Sequence, residues 1–149
     1  MPVKSFRGLI ANDTQDTIVL HTIDGSTGYR IVKFQMMFTD PGVTSSEHVM
    51  KIYKIEQIVP LVDGGLIDFN DNTLVGAGYL KERGSDYYGH AIGPIIFDNE
   101  IFNQDIYITH EAITAGGACN YYIELEQIKL DLNENTVATL KDIRNIEQQ

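Results

Sequence analysis

The residues of this chain that could do chemistry are few and scattered. Its histidines are His21, His48, His90 and His110, and no two stand at a metal-ligand spacing such as HxH or HxxxH. That spacing predicts separate surface or strand-end histidines and no metal centre. His110, followed by Glu111 at the end of a predicted strand, reads as a satisfied rim residue rather than a base. Cys119 is the sole cysteine, which excludes an internal disulfide framework and a cysteine-rich zinc site. It follows Ala115-Gly116-Gly117-Ala118, a hairpin-loop sequence, and has no histidine beside it. It therefore reads as a small residue next to a turn rather than a reactive thiol.

Other polar runs are equally plain. Ser26 and Ser85 sit in glycine-containing loops, but neither has the GxSxG elbow that presents a nucleophile. Asp24-Gly25-Ser26-Thr27-Gly28 lacks the lysine and the following helix of a phosphate loop, so it reads as a turn. Asp68-Phe69-Asn70-Asp71-Asn72 alternates carboxylates and amides, oxygen ligands suited to calcium. Without the glycine and distant glutamate of an EF-hand, an Asx-rich turn is the simpler reading. Asp98-Asn99-Glu100 and Asn103-Gln104-Asp105 invite the same idea with less support. Tyr79, Tyr87 and Tyr88 could form an aromatic platform for a glycan or a protein contact, although sugar platforms are most often tryptophan and this chain has none. No catalytic, cofactor-binding or metal-ligating residue is assigned.

Composition narrows the classes further. A chain of 149 residues, 43% hydrophobic and 21% charged, fits one globular domain with a proper core. The net charge of −10, with 11 basic residues spread thinly, argues against nucleic acid as a partner. No apolar run approaches the ~18 residues of a membrane span, and residues 1–15 lack the layout of a secretory signal. The expectation is a protein made in a cytoplasm, with no membrane partner.

The elements that must position these residues are strands. Residues 120–132, NYYIELEQIKLDL, alternate with Ile123 and Leu125 on one face and Glu124 and Glu126 on the other. The phase then slips, and Ile128, Leu130 and Leu132 carry the apolar face onward. A one-residue slip turns a strand inside out, so a β-bulge near Glu126-Gln127 is predicted. Residues 3–10, 17–22, 29–38, 47–58, 66–69, 73–80, 95–102 and 105–110 are further strand candidates, separated by glycine-, proline- and asparagine-rich turns. In 29–38, Val32, Phe34, Met36 and Phe38 form the expected apolar face. In 47–58 either Val49, Tyr53 and Ile55 or Met50 and Ile52 could face inward. Gly76 and Gly78 imply a bend, a bulge or a close neighbour. Residues 81–93 read as a long exposed loop. Beyond 132 the periodicity changes: Val137, Leu140, Ile143 and Ile146 recur every three residues, which predicts a short helix, with an extended arm as the alternative. The predicted architecture is an all-β antiparallel sandwich or jelly roll of about eight strands. It spans residues 1–132, with a helix or arm over 133–149.

Several blocks carry a likeness: Gly28-Tyr29-Arg30-Ile31 and Asp40-Pro41-Gly42, Ile96-Phe97-Asp98-Asn99, and residues 102–110, FNQDIYITH. It continues through Asn120-Tyr121-Tyr122 and Glu124-Leu125-Glu126-Gln127 to Ala138-Thr139-Leu140-Lys141-Asp142. In these blocks the chain resembles a family of small virion-associated, capsid decoration-like proteins of marine tailed bacteriophages. The resemblance implies a role in the particle, with no catalytic residues to carry over. The expected function is a non-enzymatic virion structural protein on the capsid surface, binding the major capsid protein and itself, as a homotrimer. Tyr87, Tyr88, Val137, Leu140, Ile143 and Ile146 are the candidate interface residues. The alternatives are a glycan- or receptor-binding sandwich and a small jelly-roll enzyme with a histidine-held metal.

Overall fold

The computed structural model describes residues 2–41, 45–83, 94–114 and 117–131. Strands β1 (Val3–Ile10), β8 (Cys119–Lys129) and β3 (Thr27–Phe38) form a three-stranded sheet with β8 in the middle. Strands β2 (Thr14–Ile18), β7 (Ile106–Thr114), β4 (Ser45–Tyr53), β5 (Leu74–Arg83) and β6 (Ile95–Phe97) form a five-stranded sheet in that order. Every strand pairing is antiparallel, and the two sheets pack face to face. This is the expected all-β sandwich, and no helix occurs among the described residues. The predicted helix or arm over 133–149 and its boundary at 132 lie outside the described residues, as do Tyr87, Tyr88, Val137, Leu140, Ile143 and Ile146.

Strand β8 organises the core much as its alternation predicts. Tyr121, Ile123 and Leu125 are buried while Asn120, Tyr122, Glu124 and Glu126 point outward at half exposure. Burying Ile123, Leu125 and the facing Phe34 contributes about 1.5–3 kcal/mol each. The predicted bulge, however, is in the wrong strand. β8 pairs without interruption on both sides, and the register shift falls in β3, where Val32 is the extra residue between Ile31 and Lys33. Tyr29 and Ile31 face the core before it, and Phe34, Met36 and Phe38 after it, while Val32 is 40% exposed. Ile128 simply points away from the core, and Leu130 turns inward beyond the strand end, where its N–H bonds to Ser26 O at 2.8 Å.

Strand β4 settles its ambiguous faces by burying both. His48, Met50 and Ile52 face the core. Val49, Lys51 and Tyr53, also buried, lie under the segment 54–72, which folds across the outer face of the five-stranded sheet. Three fasteners hold that cover. Lys51 Nζ donates to Leu66 O at 2.7 Å and Asp63 O at 3.3 Å, Gln15 and Gln57 exchange hydrogen bonds, and Leu61 N donates to Asp13 Oδ1 at 2.8 Å. Residues 66–69 are part of this cover and not a strand.

Other boundaries shift too. β2 starts within the predicted turn, at Thr14; only Ile95–Phe97 of 95–102 is a strand; and β7 runs past His110 to Thr114. Gly76 and Gly78 mark close neighbours: a Cβ at Gly78 would lie 2.9 Å from Ile95 Cγ1, and one at Gly76 3.0 Å from Ile52 Cδ1.

Candidate functional site

Parity along the strands creates a cluster of chemically capable side chains inside the sandwich. On β7, His110 shares the inward face with Ile106 and Ile108; on β4, His48 shares it with Met50 and Ile52. Met50 pairs with His110 and His48 with Ala112, so the two imidazoles are diagonal neighbours on adjacent strands. Cys119, at the start of β8 in the other sheet, completes the group. The three residues are at most 3% exposed. One potential ligand atom from each lies within 4.8 Å of the others.

This overturns the expectation of separate surface or strand-end histidines. His110 sits inside a strand that runs four residues past its predicted end, and His48 and His110 come together from 62 positions apart. The sequence carried a usable signal: each histidine keeps the parity of two core aliphatics. His21 behaves as expected of an exposed residue, its Nδ1 bonded to Asp105 Oδ1 at 2.7 Å. Burial pushes the Asp105 carboxyl up, but hydrogen bonds from His21 and Leu20 outweigh it and leave the carboxyl below its ordinary value.

Hydrogen bonds set the state of the pair. His110 Nδ1 lies 3.2 Å from Ala11 O, and a carbonyl only accepts, so Nδ1 carries the proton and Nε2 the lone pair. His48 Nδ1, 2.9 Å from that Nε2, must then be the donor. Burial holds both imidazoles below their ordinary pKa, His48 down to about 4, where His110 adds repulsion. Phe38 meets His48 edge-on with centroids 5.7 Å apart. Burial also pushes the Cys119 thiol up to about 11, and its Sγ donates weakly to Met37 O at 3.5 Å. The cluster at neutral pH is therefore two neutral imidazoles beside a protonated thiol. The imidazoles are hydrogen-bonded bases shielded from water, and the thiol is no nucleophile.

The remaining polar motifs serve the backbone. Asp68 Oδ1 accepts from Asn70 N at 2.9 Å, and Asp71 Oδ1 accepts from Thr73 N at 2.9 Å, the Asx turns expected for that run. Asp24 Oδ1 likewise accepts from Ser26 N at 3.1 Å, and Gly25 takes the left-handed φ of 67° that the turn requires. The glycan platform would need Tyr87 and Tyr88, outside the described residues; Tyr79 is half-buried on β5.

Two outer surfaces could meet a partner. The cover segment points Ile58 (81% exposed), Val62 (81%), Leu66 (60%) and Phe69 (68%) into water. The outer face of the three-stranded sheet sets exposed Leu9 and Met37 on either side of Asn120, with Arg7 and Gln35 flanking Tyr122. No helix among the described residues is long and apolar enough to cross a membrane. No family model matches the chain, and no curated protein matches it in sequence.

Proposed function

We propose that this chain is a non-enzymatic structural protein of a virus particle, a capsid decoration protein that binds the major capsid protein and itself, as a homotrimer, on the capsid surface. It would be made in the host cytoplasm and assembled onto the shell. The observation that carries this reading is the cover segment 54–72. Its backbone is tied to the sandwich by Lys51, Gln15 and Asp13, yet five large apolar side chains, Ile58, Val59, Val62, Leu66 and Phe69, are exposed on it. A segment pinned in place loses little conformational freedom on docking, so its apolar side chains would contribute to affinity with little ordering cost. β1 offers a second route, because it pairs with β8 on one side and with no strand on the other among the described residues; an open edge can take a neighbour's strand. The acidic net charge of −10 suits a basic docking surface.

The test is co-sedimentation of the purified protein with empty capsids, together with light scattering on a sizing column. The expected result is a trimer that sediments with capsids. A double variant, Val62→Ser with Phe69→Ser, should lose capsid binding while keeping the thermal midpoint. A strictly monomeric protein that leaves capsids bare would overturn the reading.

A further inference from the structure

We propose that His48, His110 and Cys119 form a metal-binding site that takes a single thiophilic transition-metal ion of the Zn²⁺ class and ties the two sheets together. The inference is independent of the capsid reading and stands on the geometry of the cluster.

The donors fit such an ion in kind and position. Two imidazole nitrogens and a sulfur favour zinc-like metals, whereas calcium and magnesium take oxygen. The three side chains come from β4, β7 and β8, so one ion would bridge both layers of the sandwich. Bond lengths of about 2.0–2.1 Å to nitrogen and 2.3 Å to sulfur place tetrahedral ligand atoms roughly 3.3 to 3.6 Å apart. His48 Nδ1 and His110 Nε2 are 2.9 Å apart and must open by a few tenths of an ångström; the widest separation in the group, up to 4.8 Å, must close by about 1 Å. Side-chain rotations of His48 and Cys119 would have to supply both movements.

His110 is already oriented as a ligand. Its Nδ1–H points at Ala11 O, the outer hydrogen bond that metal-bound histidines characteristically make, and this aims the Nε2 lone pair at the centre of the cluster. On binding, the proton of His48 Nδ1 moves to its own Nε2, and the Cys119 thiol proton leaves to solvent. Two neutral imidazoles and one thiolate then hold the ion, with one proton released per ion bound.

The chain's single cysteine makes the test clean. Full-length protein, treated with chelator and reductant, is titrated with Co²⁺ and then Zn²⁺. The expected result is a near-ultraviolet thiolate-to-cobalt band saturating at one ion per chain and bleached by Zn²⁺. With Zn²⁺ at about 100 times its dissociation constant, the thermal midpoint should rise by about 5–10 °C. Cys119→Ala should stay folded by circular dichroism, lose the band and lose the shift. X-ray absorption of the Zn²⁺-loaded wild type should find one sulfur and two imidazole neighbours, a readout that needs no variant to fold. A folded wild type with no cobalt band and an unmoved midpoint overturns the proposal, as does a zinc shell without imidazole.

Discussion

The two sheets bury their strands in different ways. In the three-stranded sheet only the inner face is covered among the described residues, and β8 alternates buried and half-exposed positions along most of its length. In the five-stranded sheet the segment 54–72 covers the outer face as well, and β4 is buried at nearly every position. A strand covered on one face can leave its polar residues in water. A strand covered on both must bury them, so every polar group on it needs a partner. His48, Lys51, Lys54, Thr109 and His110 are all buried in or beside the five-stranded sheet. Lys51 and Thr109 are buried by the cover, whereas His48 and His110 are buried on the inner face by the packing of the two sheets.

The contrast can be broken in graded steps. The largest effect is expected in the one-sided sheet, from Leu125→Ala. Leu125 is fully buried, so its truncation should cost about 2–5 kcal/mol, while Tyr122→Ala on the outer face of the same strand should cost under about 1 kcal/mol. Paired urea titrations would show whether the two faces differ this much.

Acid should destabilise the two-sided sheet. His48 is held at about 4 in the fold against an ordinary 6.5, with His110 beside it and the Cys119 thiol across the interlayer. Within that window the unfolded chain binds the extra proton, so stability is full above the upper value and falls as pH drops toward the lower one. The loss reaches on the order of 3 kcal/mol. Chelator-treated wild type and His48→Gln, unfolded in urea at both ends of the window, should differ in slope; equal slopes would refute the assignment.

A smaller change is expected when the cover is loosened. Lys51→Met keeps the apolar stem but removes the donor to Leu66 O, which should cost about 1–2 kcal/mol. Amide exchange should quicken within 54–72 and stay unchanged in β8. The smallest effect belongs to the rim of the three-stranded sheet. Arg30 pairs with Glu126 at its edge, partly exposed, and Arg30→Ala should cost less than about 1 kcal/mol and matter less as salt is raised.

How much of this was legible follows from the same contrast. Alternation marked β1, β3 and β8 because water on one face imposes the pattern. Even there the bulge was misplaced: adjacent Ile31 and Val32 hide the true slip, while Gln127, Ile128 and Leu130 imitate one. In β4 alternation is blurred because both faces are buried, and residues 66–69 look like a strand because the cover carries Leu66 and Phe69 as apolar side chains turned outward. The cluster of His48, His110 and Cys119 has no local spacing to betray it, since antiparallel pairing and sheet packing bring its members together from distant positions.

Sequence alone determined the class of the fold, the core face of β8 and the turns built on Asp24, Asp68 and Asp71, because each depends on neighbours within a few residues. Tertiary structure alone decided that two histidines and the single cysteine share a buried interlayer site, and that 54–72 is a pinned cover with apolar side chains outward. Both depend on which strands become neighbours and which faces lose water, and these are properties of the packed sheets.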